Sequence, residues 1–219
     1  NMEHKLPAEE ATVNLEKIYN FNTITFANKT AASNIEKISV LNASGTIKFD
    51  SGYSNINVSP RLNENVQIEV SKDSVINVQD STGSLTVNGG GKSLDINTLN
   101  TGSVSIANTS GITLKAEKAK DSLQLVSNGN VTVSEAPSVT GNITVSAIGT
   151  IQLQNVGSAT GKLDLENLRA EAGSDITLSN VSSVKSVDIK SVGSVNAILN
   201  NGFKNAENIN LTVAENSSI

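Results

Sequence analysis

Cysteine and tryptophan are absent from this 219-residue chain, histidine occurs once and proline three times. Without cysteine there can be no disulfide, no thiolate metal site and no cysteine nucleophile. Any catalytic arrangement built on imidazole has only His4, which sits in the polar stretch NMEHKLPAEEAT. Aromatic residues make up 3% of the chain and charged residues 17%, against 37% hydrophobic, so a core has to be assembled mainly from Val, Ile, Leu and Ala. That composition favours β-branched packing in strands. The formal net charge is -5 and Lys and Arg are not clustered, which removes the electrostatic footprint of a nucleic-acid binder. No apolar run approaches the roughly 18 residues of a membrane helix, and residues 1–12 lack the apolar centre of a signal peptide.

What the chain does have is a repeat. From Val131 the apolar positions run Val131, Val133, Ala136, Val139, Ile143, Val145 and Ile148, and the series restarts at Ile151. Related sets follow from Ile151 to Leu168 and from Ile176 to Val192. Each set holds two short apolar–polar–apolar triplets, here called arm A and arm B, separated by Asn, Ser, Thr and Gly. Arm A includes Ile56-Asn57-Val58, Ile76-Asn77-Val78, Leu94-Asp95-Ile96, Val131-Thr132-Val133 and Ile176-Thr177-Leu178. Arm B runs in step, through Leu85-Thr86-Val87, Leu123-Gln124-Leu125, Ile143-Thr144-Val145, Leu163-Asp164-Leu165 and Val187-Asp188-Ile189.

A unit of about 20 residues with two three-residue strands cannot bury its own apolar face, so neighbouring units must stack around a shared core. The spacing predicts an all-β parallel β-solenoid, or β-helix, of about ten coils with two to three short strands each, forming a rod on the order of 45 Å long. Further apolar pairs between the arms, such as Ala136 with Val139, leave room for a third side. The expected boundaries are a polar segment over 1–12, the solenoid over 13–213 and a short tail over 214–219. An ordinary β-sandwich also alternates apolar and polar residues, but its strands run to about 5–6 residues and are less evenly spaced. Uncapped ends would expose unpaired backbone, so the repeat is expected to continue into more chain or to meet partners at its ends.

Side chains alternate across a strand, so the middle residue of each triplet faces solvent. On arm A these are Asn57, Asn77, Asp95, Thr113, Thr132, Gln152, Thr177 and Asn196, an almost wholly neutral polar face suited to adhering to sugars or packing on a neighbouring rod. Arm B is more charged, with Lys48, Glu69, Asp164 and Asp188. Asp164 and Asp188 are expected to stack in adjacent coils, the placement that sugar-cleaving β-helices use for paired carboxylates. Lys162 and Lys190 lie two residues from them and Arg169 is near, which reads as charge compensation on a solvated surface rather than catalysis. Regular ranks of Thr, as for ice binding, are interrupted at Gln152. After Gly89-Gly90-Gly91 the calcium nonapeptide pattern fails at Lys92 and Leu94, and Gly91-Lys92-Ser93 lacks the first glycine and the helix of a phosphate loop. No catalytic residue and no cofactor follow from these residues, and no metal site can be assigned.

The segments LNASGTIKFD, PSVTGNITVSAIGT and NVSSVKSVDIKSVGSVNAILNNGFKNAENINLTV resemble the Thr/Asn/Ser/Gly-rich repeat regions of bacterial S-layer proteins, in particular those exported by type I secretion. The resemblance is one of style and spacing across most of residues 13–213, and is shared with autotransporter passengers and large adhesins. It implies a structural coat or lattice protein at the bacterial cell surface, self-associating or joined to neighbouring domains, or else an adhesin that binds cell-surface glycan. It also implies calcium-assisted assembly, although the nonapeptide repeats that would hold the ion are missing.

Overall fold

The structure is a computed structural model that describes residues 11–16, 23–27, 35–43, 46–50, 55–60, 64–70, 72–157, 165–181, 184–198 and 206–214. Among them there is no helix. The strands are β1 (Ala11–Glu16), β2 (Thr23–Ala27), β3 (Ile35–Ala43), β4 (Thr46–Asp50), β5 (Asn55–Pro60), β6 (Glu64–Glu69) and β7 (Ser74–Ala116). They continue with β8 (Leu123–Glu135), β9 (Asn142–Ala147), β10 (Ile151–Val156), β11 (Leu165–Ala172), β12 (Ile176–Val181), β13 (Val184–Ser191), β14 (Val195–Ile198) and β15 (Asn208–Val213).

Every pairing between these strands is parallel, and each joins segments about one repeat apart. This is a parallel β-solenoid. Arm A climbs through β1, β3, β5 and β7, then through β8, β10, β12 and β14. Arm B climbs through β2, β4, β6 and β7, then through β8, β9, β11, β13 and β15. The long β7 and β8 serve both arms because their chain passes round a corner without losing its ladder: Leu123–Ser127 pairs with β9, while Val131–Val133 pairs with β10. The described residues make about six turns, fewer than the ten expected from counting triplets. A triplet marks a strand, whereas a turn also needs the corners that join one side to the next, and towards both ends those joins fall outside the described residues.

The two apolar series meet inside as one continuous core, with Ile76, Leu85, Ile96, Ile106, Leu114, Leu125, Val133, Ile151 and Leu178 all buried. Each such side chain contributes about 1.5–3 kcal/mol of hydrophobic stabilisation, which is how such short strands hold together. The third side exists where it is described: Ala136 bridges Val156 in parallel, Val156 pairs with Val181, and all three are buried. Val139 is buried as well, while Ala159 lies outside the described residues. The corner onto this side is turned by Asn155 and Asn180, whose φ of 52° and 53° lie in the left-handed region that asparagine tolerates. Asn180 Nδ2 donates to Asn155 Oδ1 at 2.8 Å, so one corner braces the next.

Three expectations need correcting. The arm B rung between Ile143 and Val187 is Leu168-Arg169-Ala170, not Leu163-Asp164-Leu165, because Leu168 pairs with both Ile143 and Val187 and is buried with Ala170. The extra residues of this coil therefore precede arm B instead of following it. Second, Ile148 and Val192 do not point inward: they are 67% and 60% exposed, and Ala147 and Ser191 occupy the core positions before them. Third, the arm B rung on Ile47-Lys48-Phe49 is Val66-Gln67-Ile68, with Gln67 and not Glu69 beside Lys48, because Ile47 pairs with Val66 and Phe49 with Ile68. The core is mainly apolar, as expected, and also holds a few polar residues. Thr98, Thr101, Thr109 and Ser127 are buried near corners, where their hydroxyls find partners, as in Ser127 Oγ accepting from Gly129 N at 3.0 Å.

Candidate functional site

Arm A brings together most of the outward residues expected from the alternation. Thr113 pairs with Thr132, Thr132 with Gln152, Gln152 with Thr177 and Thr177 with Asn196, giving five successive rungs in register. Lower on the rod Asn57 pairs with Asn77. The two stretches are not one column. Asn77 Nδ2 donates to Asn57 Oδ1 at 2.8 Å, and the next donor to Asn77 Oδ1 is Asn97 at 3.2 Å, two residues beyond the expected Asp95. Asp95 is exposed and stands apart from this hydrogen-bonded series. The step from Asn77 to Asn97 is a 20-residue coil, whereas Ile96 to Leu114 is 18, and the change of pitch moves the outward column along by one outward position.

At that step lies a groove of about 350 Å³, lined by Asn77, Val78, Asn97, Thr98, Lys115 and Glu117, with Gln79 at its edge. Asn97 and Asn77 each donate to the coil below and Asn57 donates to Asn55 of its own strand, so the series ends at Asn97, whose side chain lines the groove. Lys115 Nζ sits 2.8 Å from Glu117 and 3.5 Å from Glu135. The hydrogen bond and charge of Glu117, then the charge of Glu135, raise Lys115 above the usual lysine value, and the same bond lowers Glu117 below the usual carboxylate value. The groove thus presents an amide, an ammonium and a carboxylate side by side, a set that hydrogen-bonds hydroxyl groups.

The carboxylate pair expected on arm B is not formed in the described strands. The residue beside Asp188 is Arg169, with its Nε 4.0 Å from Asp188 Oδ2, and Asp164 lies outside the described residues. Around them Arg169 approaches Glu171 at 3.8 Å, Lys190 donates to Glu171 at 2.9 Å, and Asn210 Nδ2 donates to Asp188 at 3.0 Å. The hydrogen bond from Lys190, with its charge, lowers the Glu171 carboxyl below its ordinary value, and Arg169 adds to this. A second groove of about 310 Å³ runs over this cluster. Among the described residues no three His, Asp or Glu side chains converge as metal ligands, and no buried side-chain polar atom lacks a partner.

Two features of these sites went unread in the sequence although their signals were present. Arg169-Ala170-Glu171 and Asp188-Ile189-Lys190 have opposite charge order at the same spacing, which marks a cross-strand charge pattern once the register is known. Asn97 follows the triplet Leu94-Asp95-Ile96, whose own Asp95 suited the alternation, so nothing local distinguished the two. Comparison with protein-family models, with curated proteins and with solved structures finds no match for the chain.

Proposed function

We propose that the chain is a non-enzymatic structural module of an extracellular bacterial surface protein, one that forms or joins a coat or lattice. The observation that carries this reading is the run of in-register neutral rungs from Thr113 to Asn196, which repeats at the strand spacing along the rod. A face of that kind suits another extended surface better than a small reactant, and the charged groups of arm B are already paired with one another. The test is electron microscopy of the purified chain at increasing concentration, with and without calcium. Ordered sheets, filaments or a coat on bacterial cells support the reading; a chain that stays dispersed under all these conditions overturns it.

A second reading, an adhesin that binds cell-surface glycan, is favoured by the groove at Asn97, Lys115 and Glu117. Saturable binding on a glycan array that is lost in Asn97→Ala would favour it over the first.

A further inference from the structure

The outward face of arm B is wider than a single column, because its strands run past their central triplets. Alternation places Arg169 and Glu171 outward from β11 and Asp188 and Lys190 outward from the neighbouring β13, and the bends that follow these strands carry the exposed Gly173 and Val192. On the β9 side the same columns hold Thr144, Ser146 and Ile148. On the β15 side they hold Asn210, Thr212 and Ala214. The four charges form a square in which every nearest neighbour has the opposite sign.

We propose that this face is a homodimer contact, on which a second copy of the chain docks about a twofold axis lying in the interface, parallel to the strands and midway between β11 and β13. This rests on the coat reading and adds to the arm A face a second contact surface, on arm B, with a second copy as its partner. The rotation lays each β11 over the partner's β13. Arg169 then faces the partner's Asp188, and Glu171 faces the partner's Lys190, so that no two like charges meet. In the third column Val192 lands over the partner's Gly173, which has no side chain to resist it, and Ile148 lands over the partner's Ala214. The neutral pairs fall together too, Thr144 with Asn210 and Ser146 with Thr212. Charge, size and polarity therefore match under one operation. They also account for Ile148 and Val192, two large apolar side chains left 67% and 60% exposed beside a charged cluster.

Four strands at their usual separation and three outward positions along each give a face on the order of 400 Å² per copy. A standard stable interface buries about 800 Å² per partner, so the contact is weak by itself and suits an assembly held by many repeated contacts.

Sedimentation velocity of the full chain, taken to millimolar concentration in low salt, tests the inference. The expected result is a reversible dimer whose dissociation constant rises about tenfold or more in Lys190→Glu, since a carboxylate would then face Glu171 of the other copy. The exchange variant E171K/K190E keeps opposite charges facing and is expected to return to within about threefold of the parent. Circular dichroism confirms that both variants fold, as an exposed pair contributes little to stability. Association that Lys190→Glu leaves unchanged, or that the exchange variant fails to restore, overturns this inference and leaves the coat reading standing. A chain monomeric at every concentration overturns this inference, and if it also forms no ordered assembly by microscopy the coat reading falls with it.

Discussion

Up arm A, Thr113, Thr132, Gln152, Thr177 and Asn196 follow one another as neutral side chains, whereas on arm B Arg169 sits beside Asp188 and Glu171 beside Lys190. Both faces belong to one rod with one core, so the difference lies in what each can stack. In a parallel in-register ladder every outward residue has a neighbour about 4.8 Å above and below. An amide can donate to one neighbour and accept from the other, as Asn77 does between Asn57 and Asn97, so like on like is favourable. Two equal charges at that separation repel by about 0.9 kcal/mol even in water. Asp50 is in register with Glu69 all the same, whereas the charges of β11 and β13 alternate in sign. A neutral face can therefore be uniform at no cost, while a charged one gains where its signs alternate.

The sharpest way to break the comparison is to remove the support that both faces share. Gly129 sits at the corner between arm B and arm A, where an added Cβ would collide with the backbone carbonyl of Ser110 in the neighbouring coil. Backbone cannot swing aside, so Gly129→Val is expected to cost more than about 3 kcal/mol, or to prevent folding, and to abolish both ladders in a thermal melt followed by circular dichroism. Gly91 is the contrasting position. Its φ of 77° is left-handed but nothing lies within 4 Å of an added Cβ, so Gly91→Asn is expected to cost less than about 1 kcal/mol. Equal losses from the two substitutions would show that corner strain, and not the close approach of coils, sets the pitch.

This contrast between corners also explains what could be read without coordinates. The two interleaved series were legible because Val, Ile and Leu alternate with polar residues, a pattern that survives any uncertainty about the turns. The register of the coil after Ile151 was not, since Leu163-Asp164-Leu165 fits the alternation better than Leu168-Arg169-Ala170, and a small inward Ala170 carries little apolar signal. Neither was the step at Asn97, which depends on the coil length changing from 20 to 18. Corners such as Asn155 and Asn180 look like any other asparagine in a chain rich in them, although they set where each strand begins. The neutral face of arm A was thus largely visible, while the charge square of arm B depended on a register that only the fold supplies.

A smaller effect sharpens the same rule directly. Gln152 and Thr177 are paired neighbours on arm A, and replacing both by glutamate would create the stacked like charges that the face lacks. The double variant Q152E/T177E is expected to be less stable than the sum of the single variants by about 0.5–1 kcal/mol at low salt, with the excess fading as salt screens it. Putting Lys at 177 in place of Glu should reverse the sign of the coupling. Chemical denaturation of the four chains of each cycle gives the coupling, and additivity in both cycles would mean that neutrality on arm A has another cause.

The smallest effect concerns the charge square itself and is read by titration, not by stability. Glu171 is held below its ordinary carboxylate value chiefly by the hydrogen bond from Lys190, then by its charge, with Arg169 contributing less. The folded chain therefore binds this proton less readily than the unfolded chain does. The pairing stabilises the fold above the ordinary glutamate value of about 4.3, and that contribution fades as pH falls through the lower folded value. Lys190→Ala is expected to move the Glu171 midpoint up towards the ordinary value, and Arg169→Ala to move it in the same direction by less, both followed by the side-chain carboxyl shift in NMR. If Lys190→Ala left the midpoint where it was, the Lys190–Glu171 pair would not be populated in solution. The chequered face would then be an average over mobile side chains, and its complementarity to a second copy would lose its basis.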